Sequence, residues 1–284
     1  MGGKKNFLRV SYSLEILVLS AVAPIYSTLG GTASTNDNLD GTFTVSSYDN
    51  ITRIQFADNT NIQEVDVFRG GTLTSTFNSW EFSRVMTRWE WHGECNLLNM
   101  EQMLSDCYLL NSISLFDTSS VTNWRATFYY CSALVVFPLF DTSSATDFRY
   151  CFSRSGVVDA PLFTFSVPVA MGYMFQYCQS LVNFPAWDMF WTDRSYQMFQ
   201  NCYNLETVSA TNIRNAQLQS MFSGCGKLTC ITEIDTTLAT AVGLSRISGL
   251  FNACVLLTNP SPAEQTVLTT LPTGGVYVNA SPCP

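Results

Sequence analysis

Between Met100 and Leu110 the apolar residues Met100, Met103, Leu104, Cys107 and Leu110 are spaced by three and four. That spacing predicts a short helix or 3₁₀ turn burying one stripe. The same stripe returns along the chain. Anchored on its cysteine it gives a column, Cys107, Cys131, Ser155, Cys178, Cys202, Cys225 and Cys254, with gaps of 24, 24, 23, 24, 23 and 29. Extended backwards by 24 it meets Ser83 and Asn59. Three residues before the column lie Phe56, Trp80, Leu104, Phe128, Phe152, Phe175, Phe199, Phe222 and Phe251. Three after it lie Ile62, Met86, Leu110, Leu134, Val158, Leu181, Leu205, Leu228 and Leu257. Apolar residues at every one of these places, in a chain rich in Ser and Thr, mark a true repeat.

A second element follows each stripe. Leu134-x-x-Phe137-x-Leu139 and Leu205-x-x-Val208-x-Ala210 have leucine-rich-repeat spacing, which predicts a short strand with alternate residues inward. Pro138, Pro161 and Pro185 fall at outward strand positions, where a backbone N–H is not needed. Asp117, Asp141, Asp188, Asn212 and Asp235 come next, and are expected to cap the corner by accepting from following N–H groups. The last gap of 29 calls for an insertion near 236–243. One such unit cannot bury its apolar side alone; stacking supplies the core. The expected fold is therefore an α/β repeat, a leucine-rich-repeat solenoid of about nine coils over residues 51–258. Its short strands would form one parallel sheet about 38 Å long at a strand spacing of about 4.8 Å.

The first 50 residues lack the repeat. Leu8, Val10, Tyr12, Leu14, Ile16 and Val18 alternate with Ser11, Ser13 and Glu15, which predicts a half-buried strand. The rival reading is an export signal: Lys4, Lys5 and Arg9, an apolar run and Ala21-Val22-Ala23. Glu15 inside that run and Pro24 at the cleaved position favour the strand, so Met1 is expected to be retained. Residues 1–50 are read as a β docking or capping region and 259–284 as a C-terminal cap. No apolar run is long enough for a transmembrane helix.

Composition narrows the chemistry. Lys plus Arg number 14 against 22 Asp plus Glu, a net charge of −8. No cationic excess is left for phosphates, which argues against nucleic acid as a partner. Charged residues are 13% of the chain, about half the usual share, and neutral polar residues replace them. A single histidine, His92, excludes three-His metal sites and His pairs.

The string Met171-x-x-Met174-Phe175-x-x-Cys178-x-x-Leu181, with Asp117-Thr-Ser-Ser-Val-Thr-Asn123 at the corner, resembles the BspA-like leucine-rich repeat surface proteins. That group includes the repeat domain first noted in Mycoplasma surface proteins. The resemblance covers about residues 52–258 and departs from the motif at Ser155, Ser83 and Asn59. It implies a leucine-rich solenoid at a cell surface, often linked to adhesion, with relatives in viral and phage genomes.

Each candidate site has two readings. The column Cys107, Cys131, Cys178, Cys202, Cys225 and Cys254 is a ladder of small buried thiols or, if oxidised, of disulfides. Cys95 and Cys283 are freer to be bridged in an oxidising compartment. Nine positions after the column stand Phe68, His92, Phe116, Phe140, Phe163 (one early) and Trp187, a recognition strip or an internal packing file. His92 with Glu94 and Cys95 suggests a metal or a Cys–His nucleophile. Its place in the aromatic file, with no third orienting group, makes it a substitute for Phe. One Asp per coil is too few oxygens for Ca²⁺. No metal or cofactor is expected. Gly70-Gly71 is read as a turn, and phosphate-loop and Gly-x-Ser-x-Gly patterns are missing from the sequence.

These readings point to a non-enzymatic, surface-displayed binding or structural module. The expected setting is a virion, as a phage tail, fibre or capsid decoration protein. Its partners would be assembly proteins docked through residues 1–50, and a host-surface protein or glycan. The alternative is a secreted bacterial adhesin with residues 1–23 removed and off-column cysteines oxidised. A polysaccharide-degrading enzyme would need paired carboxylates, for which Glu90, Glu94, Asp106 and Glu233 are the candidates.

Overall fold

The structure, a computed structural model, describes residues 14–20, 23–47, 52–57, 62–69, 73–76, 84–92, 95–163, 165, 167–190, 192–214, 217–237, 239, 243–269, 275–279 and 283. Leu8–Tyr12, Ala21–Val22, Asn59, Gly70–Gly71, Trp80, Ser83 and Glu94 lie outside the described residues.

The apolar stripe is not helical. From Met100 to Cys254 each stripe folds as two successive four-residue turns. Thr127 N–H donates to Trp124 C=O and Cys131 N–H to Phe128 C=O, and Met174, Cys178, Met198 and Cys202 repeat the pattern. The third residue of each turn has positive φ: Ala126 and Tyr130, Tyr173 and Tyr177, Gln197 and Asn201. That is the signature of type II turns, which favour glycine there. The turn residues between these internal bonds use their N–H groups differently. Trp124, Ala126, Phe128 and Tyr130 donate to the carbonyls of Asp147, Arg149, Cys151 and Ser153 in the next coil. The same four positions bond forward from the coils of Cys107, Ser155, Cys178, Cys202 and Cys225. Two four-residue turns place apolar side chains at intervals of three and four, as a helix does. The expected helices are therefore corrected to stacked turns. The only α-helix in the described residues that spans a full turn is α1, Pro262–Leu268, capped by Ser261 and Glu264.

Stacking aligns the rungs. Phe128, Phe152, Phe175, Phe199, Phe222 and Phe251 lie ring on ring, with centroids 5.6, 5.4, 5.9, 5.6 and 6.1 Å apart and planes within 12°. Leu110, Leu134, Leu181, Leu205 and Leu228 are buried beside them. The coil of Ser155 is shifted by one: Val157 is buried and Val158 is exposed. Gly156 allows this, because a Cβ there would meet the Ser132 carbonyl oxygen at 2.1 Å.

The strands are short and do not form one sheet. β1 (Leu14–Ser20), β2 (Ile25–Leu29), β3 (Ser34–Asp37), β4 (Thr42–Ser47), β5 (Arg53–Ala57), β6 (Ile62–Arg69), β7 (Arg88–Trp91) and β8 (Ser112–Ile113) open the chain. Six of them order as β3-β4-β1-β6-β7-β8, antiparallel through β1–β6 and parallel from β6 onward. β9 (Val169–Ala170) pairs with β11 (Thr192–Arg194), and β12 (Thr207–Val208) lies between β10 (Asn183–Phe184) and β13 (Cys230–Ile231) and pairs with both. Between β8 and β10 the ladder is broken where Pro138 and Pro161 fall. Phe140 N–H turns back to Pro138 C=O, and Trp187 to Pro185, each a three-residue γ-turn. This turn reverses the expected phase at Leu139, which points outward while Phe140 is buried.

Residue 50 is not a physical boundary. β1 pairs with β6 of the first coil and β2 with β5, so residues 14–47 are sheet partners of the repeat. Ile16 and Val18 are fully buried, and both edges of β1 are used within the chain. At the other end β14 (Glu233–Asp235) pairs with β15 (Val276–Val278), and Cys230 is bridged to Cys283. In the chain-entropy picture a loop closed over 53 residues contributes about 4 kcal/mol.

Phe175 is clamped between Phe152 and Phe199. Phe175→Ala is expected to cost about 3–5 kcal/mol in urea unfolding. Phe251→Ala, at the half-open end of the file, should cost clearly less.

Candidate functional sites on the stacked coils

The cysteine column is a set of buried donors. Cys131, Cys178, Cys202, Cys225 and Cys254 each give their S–H to the carbonyl of the rung one coil earlier. The partners are Leu104 at 3.1 Å, Phe152 at 2.9 Å, Phe175 at 3.0 Å, Phe199 at 3.1 Å and Phe222 at 2.9 Å. Cys107 is buried too. A small side chain with one donor fits this seam, so Ser155 can replace Cys. Burial pushes the thiols up, Cys178 and Cys254 to about 12. All six are unbridged. Off the column, Cys151 is a buried thiol and Cys95 is half-buried, its thiol pushed up to about 11 by burial. That is the wrong direction for a nucleophile.

The corner carboxylates accept as their position implies. Asp117, Asp141, Asp188 and Asp235 accept from the N–H two residues on, at 3.0, 2.9, 3.0 and 2.8 Å. The backbone bond from Ser119 lowers the pKa of Asp117, and the Ser143 hydroxyl and N–H lower that of Asp141. Asn212 differs: its φ is positive and its amide donates across the coils to Asp188. A second file of the same turn was not anticipated. Asn99, Asn123 and Asp147 accept from Glu101, Arg125 and Arg149 at the entry to the turns.

The aromatic file divides. Phe116, Phe140, Phe163 and Trp187 are buried, and Trp187 Nε1 donates to Pro161 C=O. As a recognition strip these four are corrected: they are core. The exposed residues are their sequence neighbours. Leu115, Leu139 and Leu162, each one residue before a buried aromatic, are 61, 70 and 62% exposed, and Val136 is 75% exposed. Three equivalent leucines on consecutive coils form an apolar strip, the kind of patch that marks a contact surface.

Only Phe68 and His92 of the file face outward, stacked at 5.0 Å. They border an ionic cluster on the outer face of β6 and β7, where Glu64 lies beside Arg88 and Asp66 beside Glu90. Arg88 holds both oxygens of Asp66 at 2.8 Å, Glu64 at 2.7 Å and Glu90 at 3.1 Å. His92 Nε2 is 2.8 Å from Asp66 and 3.5 Å from Glu90. Asp66, Glu90 and His92 have donor atoms within 4.8 Å of one another, a set that could face one cation. The Arg88 guanidinium already occupies that role. Burial raises the pKa of Asp66, but the bonds from Arg88 and His92 outweigh it and the net shift is downward.

The turn face carries residues that period counting one and five places before the column would have found. Arg154 sits between Tyr130 and Tyr177, 5.0 and 4.5 Å from their ring centres, and donates to Tyr130 Oη at 2.9 Å. Tyr150 and Tyr173 stack at 4.4 Å.

A family model described as "Mycoplasma protein of unknown function, DUF285" matches residues 37–161, 98–211 and 136–235. The crystal structure of a leucine-rich repeat protein from Bacteroides ovatus is similar over 81% of this chain, with 16% identity and a TM-score of 0.41. The chain spans about half, 52%, of that protein. No curated protein matches.

The lowered pKa of Asp66 ties stability to pH. Its contribution is present above the unfolded value of about 3.9 and lost as pH falls through the lower folded value. Asp66→Asn is expected to lose about 1–3 kcal/mol at pH 7 in urea unfolding. It should also show a shallower decline below pH 4. For the thiols, native protein treated with an alkylating reagent at pH 8 should carry at most one slow adduct, on Cys95. Intact mass after denaturation without reductant should show eight adducts, for the eight free cysteines.

Proposed function

The chain belongs to that family of Mycoplasma proteins of unknown function, with matches spanning residues 37–235, and we propose that it is a non-enzymatic, surface-displayed binding module. In this reading the coils form a leucine-rich-repeat-like solenoid that presents flat faces to a host-surface protein or glycan. The observation that carries it is the exposed strip of Leu115, Leu139 and Leu162 with Val136. Burying a leucine side chain is worth about 1.5–3 kcal/mol, so a strip of three supplies a binding face. The candidate carboxylates favour no hydrolytic pair: Glu90 is tied to Arg88, and Asp106 accepts from Tyr108 Oη at 2.9 Å.

Two settings were expected from the sequence, a virion component and a secreted surface adhesin. The Cys230–Cys283 bridge favours an extracellular surface, because such bonds persist in oxidising compartments. The buried strand β1 argues against removal of residues 1–23 in either setting.

Beads coated with the protein should be retained on host cells. The triple change Leu115→Ser, Leu139→Ser, Leu162→Ser should reduce retention at least tenfold while the thermal midpoint stays within a few degrees. Undiminished retention by the triple variant would overturn the reading.

A further inference from the structure

The forward N–H bonds give the turn stack a direction. In its turn segment every coil from Cys107 to Cys225 donates toward the C-terminal end, whereas its strand corner donates backward, as Thr122 does to Leu98 and Ala133 to Tyr108. Peptide dipoles aligned this way leave the C-terminal end with unspent N–H groups and partial positive charge, as at a helix N-terminus. The last coil is that of Cys254. The four positions that donate forward in earlier coils are here Ile247, Gly249, Phe251 and Ala253, and for the last three no acceptor is found among the described residues. Phe251 is stacked on Phe222 on one side and half-buried, where inner members of the file have a ring on both sides. Among the described residues no further coil is stacked on it. Instead α1 stands opposite, and a cavity of about 590 Å³ remains between Ile247–Asn252 and Pro262, Gln265, Thr266 and Thr269. That volume lies within the usual range of ligand sites.

We propose that this end is a docking site for a peptide segment of a partner protein, received in the double-turn form of one more coil. The occupant's chemistry is set by the chain itself. Ser220, Phe222 and Gly224 donate to the alternate carbonyls of Ser248, Leu250 and Asn252, and Phe222 stacks on Phe251. A segment that offers alternate carbonyls and a central aromatic side chain meets the donors of Gly249, Phe251 and Ala253 in the same way. This is strand addition transferred to a stack of turns. The site is separate from the leucine strip, and its test does not depend on that surface.

The probe is a synthetic peptide of residues Gln217–Lys227 with Ser in place of Cys225, titrated into the full chain. Saturable binding is expected with a Kd below about 1 mM. Phe222→Ala in the peptide should weaken it about tenfold, as should Thr266→Trp in the protein, which fills the cavity from the exposed face of α1. The Leu115, Leu139, Leu162 triple variant should bind the peptide normally. In free protein the amides of Gly249, Phe251 and Ala253 should exchange with solvent faster than those of Ser220, Phe222 and Gly224, and slow when peptide is added. Lack of binding at about 1 mM, equal affinity for the Thr266→Trp protein, or strong protection of the three amides in free protein would overturn the proposal. Displacement of the peptide by inorganic phosphate alone would also overturn it, marking an anion nest.

Discussion

The structure rests on how the turn segments spend their N–H groups. Alternate groups close the turns internally, and the others reach the next coil. A backbone can do this only if the third residue of each turn takes positive φ, which costs a residue with a side chain about 1–2 kcal/mol. Glycine meets the demand at Gly224 and Gly249, while Ala126, Tyr150, Tyr173 and Gln197 meet it at a cost. The forward hydrogen bonds, the Phe file and the thiol-to-carbonyl bonds all exist only between coils. They offset the strain only when a neighbour is present, so a single unit has no reason to fold.

The repeat was legible because its strongest positions are chemically uniform. Cys holds six of the nine column places, and the places three before and three after it are apolar in all nine copies, mostly Phe and Leu. The turns were not legible for a geometric reason: two four-residue turns and one helix put side chains on one face at the same intervals. Tyr, Arg, Ala and Gln at positive φ carry no warning in the sequence. Phase errors at single residues had similar causes. Pro138 opens a γ-turn that exchanges Leu139 for Phe140, and Gly156 lets the chain slip so that Val157 replaces Val158.

The conspicuous aromatics are the internal packing of the corners, and the exposed apolar surface falls to the residues beside them. Phe116, Phe140 and Phe163 are anchored inward, and Leu115, Leu139 and Leu162, one residue before each, are left outward. Where β6 and β7 are longer and well paired, the outward positions hold Glu64, Asp66, Arg88 and Glu90 instead, cross-linked by Arg88. The outer surface thus changes from ionic to apolar along the stack. The change comes where the ladder gives way to proline turns.

A directional stack also requires two different caps. At the start the strand edge of the first coil is closed by β1 running antiparallel to β6, continuous with the β4–β3 hairpin. At the finish the edge next to β13 is closed by the chain near Asn259, the β14–β15 pair and the Cys230–Cys283 bridge. Those devices cover the strand side of the last coil. Among the described residues the turn side offers donors alone, and a helix such as α1, whose carbonyls are committed to its own backbone, has few acceptors to offer them. Covering that edge takes a chain with free carbonyls at alternate residues, which here is the geometry of another coil.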